Sequence, residues 1–504
     1  MFDMKNEFAR RDFLKLLSLL PFVNLFSSAH PQQASAERPN ILVLVYDTFS
    51  AMHSSLYGYP RETTPNLARF AEQATLYHNH YSAGNFTTPG TTSLLTGAYP
   101  WSHRAFHANG TAADVFADQN LFSVFPDHYR LGFSHNLLVN IIMHHFRAHL
   151  DELALPGTVA LLESEYSDDL FYKDYRIAVV SERTLLKPVG ARPNSLFGYI
   201  IAKIFQDRKE ENLIRQYKDE YPRGITRYQD LVYLLEDSID WAALQAENLP
   251  QPYLAYIHMM PPHGPYSPRK EFVDIFLEDG LSVPHKPEHF FTEGRDDEFL
   301  YEKQRFYDEY VAFVDSEIGR LLSILEGAGT LENTWVVVTS DHGELFERGI
   351  FQHSTPVLYQ GIIKVPLLIH APGQTTREDV YTLTSGVDVL PTLLHMNGQP
   401  IPGWVEGEVL PPFKPGDVQR SIFAMDSKAT PKNGHLKTAS FALLKGKYKL
   451  VYYRGYTGFD EIYELFDLDN DPQELEDLSA SKPALLSEMA DELKATVAAK
   501  DKPA

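Results

Sequence analysis

Apolar positions fall into two kinds of run. Asn40–Tyr46 (NILVLVY) is apolar almost throughout and stops at Asp47. Such a run suits a parallel strand buried on both faces. Thr64-Pro65-Asn66 then opens a stretch in which Leu67, Phe70, Ala71 and Ala74 recur at helical spacing. That predicts a helix capped by Thr64, with Pro65 in its first turn. Pro252–His258 (PYLAYIH), Trp335–Thr339 (WVVVT) and Val365–Ile369 (VPLLI) read as further strands. Tyr310, Val314, Ile318, Leu321 and Leu325 line one face of a helix before the second of these. Strands alternating with helices predict an α/β fold with a mostly parallel central sheet flanked by helices. In such sheets the functional loops follow the C-terminal ends of strands. Asp47, His258 and Asp341 occupy those ends.

Residues of about 120–235 are less regular and are expected to be an insertion that caps a site or sets specificity. After Pro411–Pro415 the pattern changes. Phe441–Tyr453 (FALLKGKYKLVYY) predicts a hairpin turning at Lys445-Gly446. Leu485–Val497 predicts a closing helix. A main domain over 37–410, a small C-terminal α+β subdomain over 411–497 and a tail over 498–504 follow.

Residues 1–36 read as a leader. Lys5, Arg10, Arg11 and Lys15 precede the apolar stretch Leu16–Phe26, and Ala34-Ser35-Ala36 offers a small-x-small cleavage site. Arg10-Arg11-Asp12-Phe13-Leu14-Lys15 resembles a twin-arginine signal. The expectation is export across the cytoplasmic membrane, to the periplasm, the cell surface or the medium, with no other span.

Composition narrows the chemistry. Aromatic residues make up 12% of the chain, enough apolar surface to exclude disorder throughout. The formal charge is -22, which argues against a nucleic-acid partner. An anionic substrate then needs a local cation to overcome that field. Cysteine is absent, which excludes disulfides, thiolate catalysis and cysteine-ligated metals.

Three separated segments end strands with residues suited to a metal or an anion: Asp47; Thr87-Thr88-Pro89; and Asp341-His342-Gly343-Glu344. Other candidates have plainer readings. His258 alternates with apolar neighbours and is expected as a hydrogen-bonded core histidine. His144 and His145 are expected at the surface or in packing. Asp467-x-Asp469-x-Asp471 starts like a calcium loop, but Pro472 and Leu478 stand where that loop needs Gly and Glu. Asn85-Phe86-Thr87 is a glycosylation sequon by pattern only. The acidic helix over 206–221 is expected as a solvated face.

Together the segments resemble the sulfatase family, within the alkaline phosphatase superfamily. NILVLVYDT resembles its first block, with Thr48 at the second acid. TTPNLARFAEQATLYHNHYS resembles its next helix. Thr87-Thr88-Pro89-Gly90-Thr91-Thr92-Ser93-Leu94-Leu95-Thr96-Gly97 resembles the signature Cys/Ser-x-Pro-Ser-x-x-x-Leu-x-Thr-Gly. His258 to His263, SDHGELF, QHSTPVLYQGIIKVPLLIHAPG, SGVDVLPTLL and LLKGKYKLVYY…YELFDLDNDPQELEDL follow in the family's order. The resemblance implies an alkaline-phosphatase-like sheet in 37–410. It also implies a metal-dependent ester hydrolase acting on a small-molecule, glycan or lipid-headgroup ester.

Departures from the motif redirect that reading. The family converts Cys or Ser to formylglycine. Thr87 stands there, and its β-methyl allows only a ketone, so no formylglycine is expected. Thr91 stands where the motif has arginine. Family relatives with Thr at the nucleophile act on phosphodiesters. The resemblance therefore implies a Thr87 nucleophile cleaving phosphate (diester or monoester) or sulfate esters. It implies one divalent cation (Mn²⁺, Zn²⁺ or Mg²⁺, Ca²⁺ less so) held by Asp47, Asp341, His342 and the Thr87 hydroxyl. His263, His353 and Thr88 are the expected substrate-binding residues, and the two histidines also serve the leaving group. Two other readings stay open: a sulfatase turning over without formylglycine, and a degenerate member that binds anionic glycans without cleaving them.

Overall fold

The computed structural model describes residues 38–108, 110–162, 196–228, 231–459 and 461–502. The leader expected over 1–36 lies outside the described residues. Eight strands form the central sheet: β1 (Asn40–Tyr46), β2 (Thr75–Tyr77), β3 (Tyr129–Ser134), β4 (Glu152–Ala154), β5 (Tyr253–Met259), β6 (Thr334–Thr339), β7 (Leu367–His370) and β8 (Glu378–Val380). Their order is β8-β2-β7-β6-β1-β5-β3-β4. The five strands β6-β1-β5-β3-β4 run parallel. Strand β7 is antiparallel to both its neighbours, β6 and β2.

Strand β1 shows why its sequence is apolar throughout. Ile41, Val43 and Val45 enter one core, and Leu42, Leu44 and Tyr46 the other. The helices on the two faces are α1 (Pro65–Ala71), α2 (Thr87–Thr96), α3 (Leu137–His145), α4 (Leu196–Gln216), α5 (Leu235–Asn248), α6 (Asp297–Gly327) and α7 (Val389–Met396). Helix α6 carries Tyr310, Val314, Ile318, Leu321 and Leu325 into the core of Leu42, Leu44 and Tyr46, as the spacing predicts. The described side chains over 207–216 of α4 are mostly exposed. No described helix is long and apolar enough to cross a membrane.

Helix α1 begins where the sequence places it, but its cap comes from elsewhere. Thr64 makes no side-chain cap. Its hydroxyl bonds Ser54 Oγ at 2.8 Å and accepts from Leu56 N at 3.0 Å. Asp315 of α6 caps the helix instead, accepting from Asn66 N at 2.8 Å and Leu67 N at 2.9 Å. The orphan N–H groups of a helix start are satisfied by whichever acceptor reaches them, local or distant.

Two strands of the stretch read as an insertion join the sheet. Strands β3 and β4 extend its parallel run, and Ser134 aligns with His258. In β1, Val45 aligns with His258 on one side and Thr339 on the other. This register brings the ends of β1, β3, β5 and β6 level. The loops bearing Asp47, Asn136, His258 and Asp341 therefore open on one edge.

A second sheet follows, of β9 (Ser421–Asp426), β10 (Ala439–Lys445), β11 (Tyr448–Arg454) and β12 (Ile462–Asp467), all antiparallel. The hairpin turns at Gly446-Lys447, one residue later than predicted, with Gly446 at φ 56°. Helix α8 (Pro483–Lys500) is longer than predicted and takes in the start of the expected tail.

Candidate active site

Asp47 and Asp341-His342 follow strand ends, whereas Thr87, expected at a strand end too, opens a helix. Asp47 continues β1, and its N–H donates to Met259 O of β5 at 3.0 Å. The next residue, Thr48, has φ 63°, a strained conformation for a β-branched residue, and its buried hydroxyl has no hydrogen-bond partner. Asp341 and His342 follow β6. Thr87 opens α2, whose preceding Phe86 is extended, so the hydroxyl stands at a helix N-terminus with exposed N–H dipoles.

Asp47, Asp341 and His342 present ligand atoms within 4.8 Å of one another, all buried. His342 Nε2 is 3.4 Å from Asp47 Oδ1 and 3.7 Å from Asp341 Oδ2. Its Nδ1–H donates to Gly343 O at 2.9 Å, which aims Nε2 at the carboxylates. Thr87 Oγ1 lies 3.4 Å from His342 Nε2. Burial disfavours the imidazolium, yet Asp341 and then Asp47 outweigh it and push His342 up to about 9. Burial works against the Asp47 carboxylate too, but the neighbouring His342 holds its pKa below the usual range. Asp47 Oδ1 is buried with no hydrogen-bond partner. Two buried carboxylates and an imidazole, one oxygen of them orphaned, form a set that fits a divalent cation.

Two residues join the cluster that the motif reading did not assign to it. Asn136 Nδ2 donates to Asp47 Oδ2 at 2.6 Å and to Thr87 Oγ1 at 3.3 Å. Its own oxygen accepts from Leu138 N at 2.8 Å and caps α3. A cap signal was legible in Ser-His-Asn before an apolar run, but nothing local pointed it at Thr87. His258 is buried and bonded to Ser134 Oγ at 3.1 Å, as a core histidine would be. Its other nitrogen faces the site, however, 3.4 Å from Asp341 Oδ2. The core reading holds for one nitrogen, and the strand end turns the other toward the carboxylates.

His353 stands beside the cluster, its ring centroid 4.5 Å from that of His342 and 5.1 Å from that of His263. Its Nδ1 pairs with Glu344 Oε1 at 2.8 Å. Burial pushes His353 well below the usual imidazole range, and the same cause raises Glu344 to about 7. His263 donates Nδ1–H to Gly264 O at 2.7 Å, leaving Nε2 to face outward chemistry. The Thr88 hydroxyl donates to Ala108 O at 3.1 Å, and Thr91 donates to Asp341 Oδ2 at 3.4 Å.

The sequence matches the sulfatase family model over residues 39–176 and 190–398. A second model, N-sulphoglucosamine sulphohydrolase, C-terminal, matches 347–502. The ulvan-active sulfatase of Formosa agariphila is 24% identical over 486 residues, covering 92% of this chain and 84% of that protein. Arylsulfatase K of Bos taurus is 25% identical over 52% of this chain and 54% of its own length, so the chain spans about half of that relative. The solved phosphonate monoester hydrolase of Agrobacterium radiobacter has the same fold, with a TM-score of 0.63 at 18% identity over 92% of this chain and 96% of that one.

Proposed function

The chain belongs to the sulfatase family and is a sulfuric or phosphoric ester hydrolase; from that premise we propose that it cleaves phosphate esters through Thr87, with a divalent cation held by Asp47, Asp341 and His342 and without formylglycine. The observation that carries this reading is the Thr87 hydroxyl, 3.4 Å from His342 Nε2 at the edge of the carboxylate pair. A cation bound there neutralises developing charge and lowers the pKa of the hydroxyl.

The residues then divide the work. Asn136 holds Thr87 and Asp47 in register through its amide. Thr87 Oγ attacks phosphorus as its proton passes to solvent, and the bond from phosphorus to the alcohol oxygen breaks. His263 protonates the departing alkoxide, while His353, kept neutral by burial, contacts the ester oxygens. Water attacks the phosphothreonine, the bond to Thr87 Oγ breaks, and the hydroxyl regains its proton. A threonine sulfate lacks the aldehyde route by which formylglycine sheds sulfate, which favours phosphate. The names of the relatives favour sulfate as the second reading. Export by the twin-arginine route belongs to the same proposal, supported by Arg10-Arg11 in 1–36.

Purified protein with Mn²⁺, Zn²⁺ or Mg²⁺ is offered nitrophenyl phosphate, bis-nitrophenyl phosphate and nitrophenyl sulfate. Phosphoester turnover that disappears in Thr87→Ala and after chelation is expected. Turnover confined to the sulfate selects the second reading. Metal binding with no turnover of any ester refutes the assignment to catalysis. Fractionation of cells carrying Arg10→Lys/Arg11→Lys tests export.

A further inference from the structure

Carboxylates crowd the cluster. Asp47, Asp341 and Glu344 are gathered in it, the chain as a whole carries -22, and residues 87–92 (TTPGTT) bring no cation. Thr91, where the motif leads to arginine, spends its hydroxyl on Asp341. The C-terminal sheet supplies what α2 does not. Met425 of β9 donates its N–H to Ala83 O at 3.0 Å and bridges Gly84, four residues or fewer before Thr87. This pairing delivers the loop after β9 to the mouth of the site.

Lys428 points back from it. Its ammonium sits 4.3 Å from the centroid of the Phe86 ring, the residue before Thr87. It also donates to His353 O at 3.4 Å. Asp426 Oδ1 is 3.9 Å away, beyond a direct hydrogen bond. An ammonium has three donors, and the partners found for this one among the described residues are a distant carboxylate and one long bond to a carbonyl. Burial pushes its pKa down, against the pull of Asp426. The side chain nevertheless keeps 33% of its surface exposed, so a ligand can reach it. A cation held between Phe86 and His353 with donors to spare is arranged for an arriving anion.

We propose that Lys428 binds the anionic ester group beside the Thr87 cluster and makes the site select esters that carry negative charge. The proposal rests on the reading of that cluster as the ester-hydrolysis site. It assigns to Lys428 substrate recognition and leaves the bond-breaking steps to the residues already named.

The test uses the full chain loaded with Mn²⁺ and compares wild type, Lys428→Gln, Lys428→Arg and Lys447→Gln. The last removes the same charge at the hairpin turn. The dissociation constant of inorganic phosphate is measured by calorimetry, and kcat and KM on nitrophenyl phosphate are measured separately. Loss of one charge-assisted hydrogen bond is expected to weaken phosphate about 10- to 100-fold in Lys428→Gln. KM rises in step while kcat changes little. Lys428→Arg, which keeps the charge, loses less than Lys428→Gln, and Lys447→Gln is unchanged. Melting curves establish that Lys428→Gln folds. Wild-type phosphate affinity in Lys428→Gln overturns the proposal, as does an equal loss in Lys428→Arg. Phosphate binding is also measured in Thr87→Ala and in Thr87→Ala/Lys428→Gln. If Thr87→Ala keeps its activity, the nucleophile reading fails, while the contrast between those two variants still decides the role of Lys428.

Discussion

Replacing Gly90 by alanine adds one methyl group where α2 crosses the Asp341 loop. A Cβ built there lies 2.1 Å from Asp341 O, 2.9 Å from its carbonyl carbon and 3.1 Å from Ser82 Oγ. An ordinary carbon–oxygen approach is about 3.3 Å, so helix and loop must part by about 1 Å. Two effects oppose each other. Removing a glycine from a helix interior gains about 1 kcal/mol. Overpacking a closed interior costs about 1–3 kcal/mol, and here the obstruction is backbone, which cannot rotate away. The clash wins, by up to about 2 kcal/mol. The rate suffers more than the stability. Thr87 lies one turn before Gly90 on the same helix, and Asp341 is a member of the cluster, so the movement separates the hydroxyl from the carboxylates. A displacement of about 1 Å costs on the order of 10²-fold in rate. Melting temperature and nitrophenyl phosphate turnover of Gly90→Ala are measured beside Gly327→Ala. Gly327 ends α6 with nothing within 4 Å of its Cβ position, so that change should be neutral or stabilising. Gly90→Ala with wild-type melting and turnover within threefold refutes the argument.

Asn136→Ala should lower metal affinity about 10- to 100-fold, because Asn136 orients Asp47, and cost about 1 kcal/mol as a lost cap; metal titration and melting separate the two. Asn136→Asp keeps the cap but sets an acceptor against Asp47, so activity should fall with little change in melting. Asp315 is pushed up to about 6 chiefly by burial, against the N–H groups of Asn66 and Leu67. A raised carboxyl stabilises the fold while protonated, below about pH 4, and that contribution is lost as pH rises through about 6. The stability gap between wild type and Asp315→Asn should therefore narrow by about 3 kcal/mol from pH 4 to pH 7, and a gap that widens over this range rejects the assignment. Lys449 and Glu474 form a buried pair at 2.6 Å, and Glu474 also accepts from Gln360 N at 2.8 Å. Glu474→Ala should cost about 3–5 kcal/mol by stranding the ammonium, with the double change to Lys449→Met/Glu474→Leu recovering much of it, both read from denaturant midpoints.

The local pattern of this chain determined its strands, its long helix and the three segments that end in Asp47, Thr87 and Asp341-His342. Burial on both faces demands continuous apolar runs, and a turn at a strand end admits polar residues, so both leave marks in a few consecutive positions. Tertiary structure decided what those marks meet. The cap of α1 passed from Thr64 to Asp315, 249 positions from Asn66 in sequence. Residues 129–134 and 152–154 became strands of the central sheet, and strand register brought Asn136 to Thr87 across 49 positions. His258 looked like core from its neighbours and proved to be core on one nitrogen and site on the other. Gly90 and Lys428 show the same limit: one is small because a distant carbonyl presses on it, and the other is near the site because β9 bridges Gly84. Periodicity encodes which face a side chain takes, whereas the partner it finds there depends on how distant segments pack.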